Sequence, residues 1–401
     1  MARTAGNRGR LTSRQATSEV IGASYQQEVR TLRMPDFELE RFFARWEFDV
    51  PHLLCAADAE TWSVGELLDG GAGHESIDDL QLGYTETAGH PVLRKAIADL
   101  YDSAEPDDVL VMNSAQEAIF LLANVLCDPG DDVMVVWPAY QSLHESARGN
   151  GANVNLVRLR HENDWKLDMD EVAAALTPKT KAVIVNYPHS PTGTILTHEE
   201  FARLVDLTEA AGTHLVNDEV YRFMELDESD RLPAAADATP LGISIGALSK
   251  PFGLAGLRIG WIATRDRSVL EAAARLKDYT TICASSPSEF LAIAALEVKD
   301  RVLERNRSIV SDNLEHLDDF VYRHPDRVRW TRPRSGPIGF MELEDSAPIE
   351  TFAEDLARRE GVLILPGTVF GYPGNHFRVG FGRRDFPAAL ERFERYLSRA
   401  S

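Results

Sequence analysis

Beyond Asp78 the chain alternates short apolar runs with stretches of helical period. The runs are Val109–Met112, Val133–Trp137, Val154–Leu159, Ala182–Tyr187, His214–Asn217, Ile243–Leu248 and Ile259–Ala263. Helical patterns at Gln116–Leu126, Leu143–Gly149, His198–Ala211 and Ser268–Leu276 fit between most of them. Short apolar runs suit strands buried on both faces, and their alternation with helices predicts an α/β fold. The expected architecture is a mostly parallel seven-stranded sheet in α/β/α layers. A helical pattern from about Ser288 to Arg323 then leads into a smaller α+β domain. Its strands are expected near Val328–Trp330, Gly339–Glu342, Val362–Leu365 and Phe377–Phe381, and its helices at Ile349–Arg359 and Pro387–Arg399. Upstream, Phe37–Phe48 repeats apolar residues at helical spacing. The expected organisation is a disordered Arg-rich tail over 1–33, a segment 34–77 packing with the small domain, a large domain 78–296 and a small domain 297–401.

Composition narrows the function classes. At 401 residues the chain exceeds the usual limit of one core. A net charge of −21 argues against nucleic acid or an anionic membrane as partner. No apolar run approaches the roughly 18 residues of a membrane span. Cys55, Cys127 and Cys283 make neither a disulfide framework nor a zinc site, so a reducing cytoplasm is the expected location. No metal-ligand spacing stands out, and no metal is expected.

One lysine changes the picture. The chain has seven lysines against 35 arginines, yet Lys250 stands among small and apolar residues in Gly246-Ala247-Leu248-Ser249-Lys250-Pro251-Phe252-Gly253. Burial penalises the charged form of an amine, and a neutral amine attacks an aldehyde to form a Schiff base. Arg258, between Gly256 and Gly260, can grip a phosphate with two parallel hydrogen bonds. An aldehyde and a phosphate together describe pyridoxal 5'-phosphate. Taken alone, a lysine here reads first as a solvated loop residue before a turn; the further motifs and their order reverse that.

Those motifs carry a family resemblance. Ser249-Lys250 with Gly253, Leu254, Gly256, Leu257, Arg258 and Gly260 resembles the lysine segment of class I/II aminotransferases, the fold-type I pyridoxal-phosphate enzymes. The resemblance runs from about Met34 to near the C-terminus. It implies an amino group moved from an amino acid to a 2-oxo acid, with Lys250 bound to the cofactor aldehyde and then acting as base. In Asn217-Asp218-Glu219-Val220-Tyr221 it implies that Asp218 pairs with the pyridine nitrogen and Tyr221 with the ring's 3' oxygen. A carboxylate there keeps the nitrogen protonated, which strengthens the ring as an electron sink. Asn186-Tyr187-Pro188-His189-Ser190-Pro191 resembles the family's Asn-x-Pro-x-Asn-Pro loop, with Ser190 in place of the second Asn. Ser114, Ala115 and Gln116, opening a helix, resemble its phosphate cup, and Ser249 and Arg258 share that phosphate. Ala247 replaces a common hydroxyl ligand. Tyr140 matches the residue that stacks on the ring, and Arg378 the one that grips the substrate carboxylate. Tyr84, in Tyr84-Thr85-Glu86-Thr87-Ala88-Gly89, implies a homodimer in which each chain completes its partner's phosphate site.

The stretch from Leu53 to Ser63 lies where relatives form the substrate floor, and it is similar to capreomycidine-synthase-like members, which cyclise a modified arginine. An eliminase or cyclase acting on an amino acid is therefore the alternative reading. Asp58 and Glu60 are candidates to receive a cationic side chain, though solvated loop acids also fit.

Overall fold

The apolar runs pair into strands, and the pairing fixes where their ends lie. The computed structural model describes residues 34–69, 76–344 and 347–399; the tail expected over 1–33 lies outside the described residues. In chain order the strands are β1 (His52–Leu53), β2 (Val109–Met112), β3 (Asp132–Trp137), β4 (Asn153–Arg158), β5 (Thr180–Val185), β6 (His214–Asp218) and β7 (Gly242–Ala247). They continue with β8 (Gly260–Ala263), β9 (Val328–Trp330), β10 (Ile338–Leu343), β11 (Val362–Leu363), β12 (Leu365–Pro366) and β13 (His376–Gly380).

Seven of them form one sheet in the order β2-β8-β7-β6-β5-β3-β4. All neighbours are parallel except those of β8, which runs antiparallel to both β2 and β7. The C-terminal ends of β2, β3, β5, β6 and β7 therefore share one edge with the start of β8. Interior strands such as β7 are buried throughout, whereas the outermost β4 exposes Asn153, Asn155 and Arg158. Polar side chains on an edge strand discourage pairing with another sheet.

The second sheet is antiparallel, in the order β12-β13-β10-β9. Near it, β1 pairs in parallel with β11. The single strand expected over Val362–Leu365 divides at Ile364, because β11 pairs with β1 while β12 pairs with β13. Likewise the helix expected from Ser288 to Arg323 is two helices. They meet at Val298, whose φ of −113° and ψ of 27° leave the helical region.

Four helices matter below: α1 (Glu38–Trp46), α2 (Ala115–Leu126), α3 (Ser286–Glu297) and α4 (Lys299–Arg323). One apolar cluster passes from Val183 and Leu215 of the large sheet through Trp165 to Phe340 and Leu365 of the small one. The two sheets thus share a core, and residues from Met34 onward form one unit. Among the described residues no helix is long and apolar enough to cross a membrane.

Candidate active site

The shared edge of the large sheet is where an open α/β sheet binds ligands, because loops leaving neighbouring strands splay apart there. A cavity of about 340 Å³ lies at it. Ser114 to Gln116 follow β2, Tyr140 follows β3, and Asn186 and Ser190 follow β5. Asp218 ends β6, Ser249 and Lys250 follow β7, and Arg258 precedes β8. All of them line the cavity, as do Tyr221 and, from β13, Arg378. Every residue expected at the site is thereby brought together except Tyr84. That side chain is 91% exposed and lines a separate open groove with Ser114 and Arg258.

Local chemistry sets each position. Ser114 caps α2, its hydroxyl accepting from the Glu117 amide at 3.2 Å. The first amides of that helix, at Ala115 and Gln116, have no intrahelical partners and favour an anion. β8 approaches them closely: a Cβ on Gly260 would lie 2.5 Å from the Ala115 nitrogen. Gly260→Ala should therefore displace the turn that forms the cup. The expected outcome is destabilisation by about 1–3 kcal/mol, read by thermal unfolding, with weaker phosphate binding. Arg258 occupies the left-handed region at φ 55° and uses one hydrogen bond, to the Ala255 carbonyl, leaving donors of its fork uncommitted.

Asn186 lines the cavity and also braces it. Its amide donates to the Asp218 carbonyl at 2.6 Å and accepts from the Ser190 amide at 2.8 Å, which ties the β5 loop to the end of β6. The Tyr221 hydroxyl donates to the Ala57 carbonyl at 3.0 Å and also interacts with Ser190. Arg378 donates Nε and Nη2 to the Cys55 carbonyl, at 3.2 and 2.8 Å. The edge formed by Nη1 and Nη2 keeps two hydrogens for a carboxylate. Ala247 does not line the cavity; it packs with Val220, Tyr221 and Ile338.

The electrostatics follow from burial. Lys250 forms no ion pair among the described residues, and desolvation pushes its pKa below the ordinary lysine value. Asp218 is likewise buried without an ion-pair partner among the described residues. Desolvation raises it to about 7, and an amide bond from Val220 only partly offsets this. Another lysine, Lys277, is more deeply buried than Lys250 and contacts the Thr87 carbonyl away from this cavity. Burial alone thus does not single out Lys250; its place at the sheet edge does.

Sequence reasoning missed two carboxylates. Glu40 and Glu47, from α1 and the turn after it, line the cavity, and Glu40 accepts from the Tyr140 hydroxyl at 2.8 Å. Their helix was legible, but its helical period could not show which wall it closes. Asp58 lines the cavity in a forked pair with Arg383, at 2.9 and 3.1 Å from Nη2. Glu60 does not; its carboxylate accepts from the Arg384 amide. Of the two candidates to receive a cationic side chain, only Asp58 therefore faces the cavity.

Residues 72–390 match the sequence profile of aminotransferase class I and II. The chain belongs to that family. The aminotransferase is 29% identical over 351 residues to capreomycidine synthase from Streptomyces vinaceus, covering 87% of this chain and 90% of that one. A crystal structure of a pyridoxal-phosphate-dependent aminotransferase from Streptococcus suis superposes with a TM-score of 0.87 at 28% identity. That match covers 92% of this chain and 99% of the other. The pyridoxal-phosphate-dependent cyclase OrfR, in complex with Au, gives a TM-score of 0.85 at 32% identity over 93% and 100% of the two chains. The protein is an enzyme of the pyridoxal-phosphate-dependent aminotransferase type with the fold-type I architecture, and the family implies amino-acid and oxo-acid substrates.

The residues present fit that cofactor. A half-buried amine and a buried carboxyl, both without ion-pair partners among the described residues, surround one cavity with the first amides of a helix and a guanidinium with spare donors. These are the partners that an aldehyde, a ring nitrogen and a phosphate require.

Proposed function

We propose that the aminotransferase moves an amino group from an amino acid to a 2-oxo acid, with Lys250 as the cofactor's attachment point and as base, and with the residues around it in the following roles. Ser114, Ala115, Gln116, Ser249 and Arg258 hold the cofactor phosphate. Asp218 faces the ring nitrogen, Tyr140 stacks on the ring, and Asn186, Ser190 and Tyr221 fix the side bearing the 3' oxygen. Bound there, pyridoxal phosphate supplies the electron sink that makes a substrate α-proton acidic. The Lys250 amine, whose pKa desolvation lowers, takes that proton. Arg378 presents its free edge to the substrate carboxylate. The observation that carries this reading is the convergence on one cavity of half-buried Lys250 and buried Asp218, both without ion-pair partners among the described residues.

Tyr84, exposed and beside Ser114 and Arg258 in the open groove, supports a homodimer in which it serves the partner's phosphate site. The two sheets support a large domain over 78–296 and a small one over 297–401, with 34–77 attached to the latter through β1. The net charge and reduced cysteines support a cytoplasmic location without nucleic-acid or membrane partners.

Purified enzyme incubated with a panel of amino acids and 2-oxo acids should form a second amino acid; consumption of a donor without any transfer would overturn the reading. Arg378→Ala should cut kcat/KM by about 10²–10³-fold, mostly through KM. The basis is the loss of charge-assisted bonds worth about 1.5–3 kcal/mol each. Initial-rate kinetics with a fixed oxo acid check it.

A second reading has its own support. Glu40, Glu47 and Asp58 give the cavity three carboxylates beyond Asp218, with Arg383 already committed to Asp58. Such a wall favours a cationic side chain. An eliminase or cyclase acting on such an amino acid then follows if the donor disappears without an amino group reaching the acceptor.

A further inference from the structure

Outside the catalytic cavity, two imidazoles and a carboxylate converge between the two sheets. Glu342 on β10 and His376 on β13 are directly opposite in the antiparallel register. His161 reaches them from the loop after β4. His161 Nδ1 lies 3.3 Å from Glu342 Oε2 and 3.4 Å from His376 Nε2, and the three ligand atoms all lie within 4.8 Å of one another. Two ligands each about 2.0–2.1 Å from a tetrahedral zinc ion stand roughly 3.3–3.4 Å apart. Two of the three separations, those from His161, match that spacing.

The surroundings have the form of a metal site's outer layer. The Nδ1 atom of His376 lies 3.2 Å from the Pro373 carbonyl, the contact that fixes its N–H there and leaves Nε2 bare as a ligand. Aromatic rings hold both imidazoles: His161 stacks on Trp165 at 5.3 Å, and His376 stacks on Phe340 at 5.4 Å. Asp164 and Trp165 are consecutive non-glycine residues in the left-handed region, at φ 58° and 61°. That conformation is unfavourable for bulky side chains, and it keeps Trp165 beneath His161. Without an ion, one proton on His161 Nδ1 must serve two acceptors that both face it.

We propose that His161, Glu342 and His376 bind one zinc-type divalent cation, which ties the loop after β4 to the small sheet. Two imidazoles and one carboxylate suit zinc, with water completing the tetrahedron. His161 keeps its remaining proton on Nε2 and gives Nδ1 to the metal. Arg378 lies two residues beyond His376 on the same strand, so the ion also braces the strand that carries the substrate-carboxylate ligand. The proposal does not depend on the cofactor.

The test is titration of tag-free, cofactor-loaded enzyme with zinc chloride after chelator treatment and dialysis, followed by calorimetry and thermal unfolding. One ion per chain should bind, and it should raise the unfolding temperature. His161→Asn, at a partly exposed loop position, should weaken binding at least tenfold and abolish the thermal shift, and His376→Gln should do the same. Absence of stoichiometric binding, or binding equally tight in His161→Asn, would overturn the site. If His376→Gln does not fold, the His161→Asn comparison decides.

Discussion

Lys250→Ala is expected to lose turnover by about 10⁴-fold or more, because one side chain supplies both the attachment point and the base. The variant should still fold: Lys250 is half-buried without an ion pair among the described residues, so its removal relieves desolvation rather than breaking a network. Its far-UV dichroism should match wild type, its visible absorbance with added cofactor should differ, and its kcat should fall to background. Lys250→Arg separates charge from chemistry, since a guanidinium retains the cation but cannot act as a neutral amine at ordinary pH. It should be as inactive as the alanine variant. Substantial activity in either protein would remove Lys250 from the mechanism.

Asp218→Asn is expected to reduce kcat by about 10²–10³-fold. Taking away one partner of a buried charge pair costs about 3–5 kcal/mol, and the lost partner here is the one that keeps the ring nitrogen protonated. The same substitution should stabilise the cofactor-free protein. Burial raises the Asp218 carboxyl to about 7, so the folded state holds its proton more tightly than the unfolded chain does. Between about pH 4 and pH 7 the wild type therefore loses stability as pH rises, by about 4 kcal/mol at most. Asparagine carries no such penalty. The cofactor-free variant should unfold at a higher temperature than cofactor-free wild type at pH 8, and the two should converge near pH 4. Bound cofactor should reverse the order, since a cation facing the carboxylate restores its charge. Thermal scans across pH, with and without cofactor, read both effects.

The two variants show what kind of information the sequence held. Asp218, Lys250 and Arg258 were legible because Asp218 closes a strand, Lys250 follows one and Arg258 precedes one at the same sheet edge, so short-range patterning already implied their neighbourhood. The strand spans themselves were read to within two residues at nearly every end, since continuous apolar runs have few other destinations. Glu40 and Glu47 were not legible. Their helix shows an apolar face, but which cavity its polar face borders depends on packing against β3 and the small sheet. The metal-type cluster was hidden for a similar reason: His161 and His376 are 215 positions apart and meet only through the contact between the sheets. Asn186 lines the cavity, as expected of a cofactor contact; that its amide also braces Asp218 and Ser190 is something only hydrogen-bond geometry shows. The break at Val298 had no sequence signal, because neither glycine nor proline occurs there.

The most direct test of the central claim is borohydride reduction of the cofactor-loaded enzyme followed by proteolysis and mass spectrometry. The expected result is a single peptide carrying the reduced pyridoxyl phosphate, with the modification on Lys250. Label on Lys277 or on a surface lysine, or no label on protein that is active with cofactor, would contradict it.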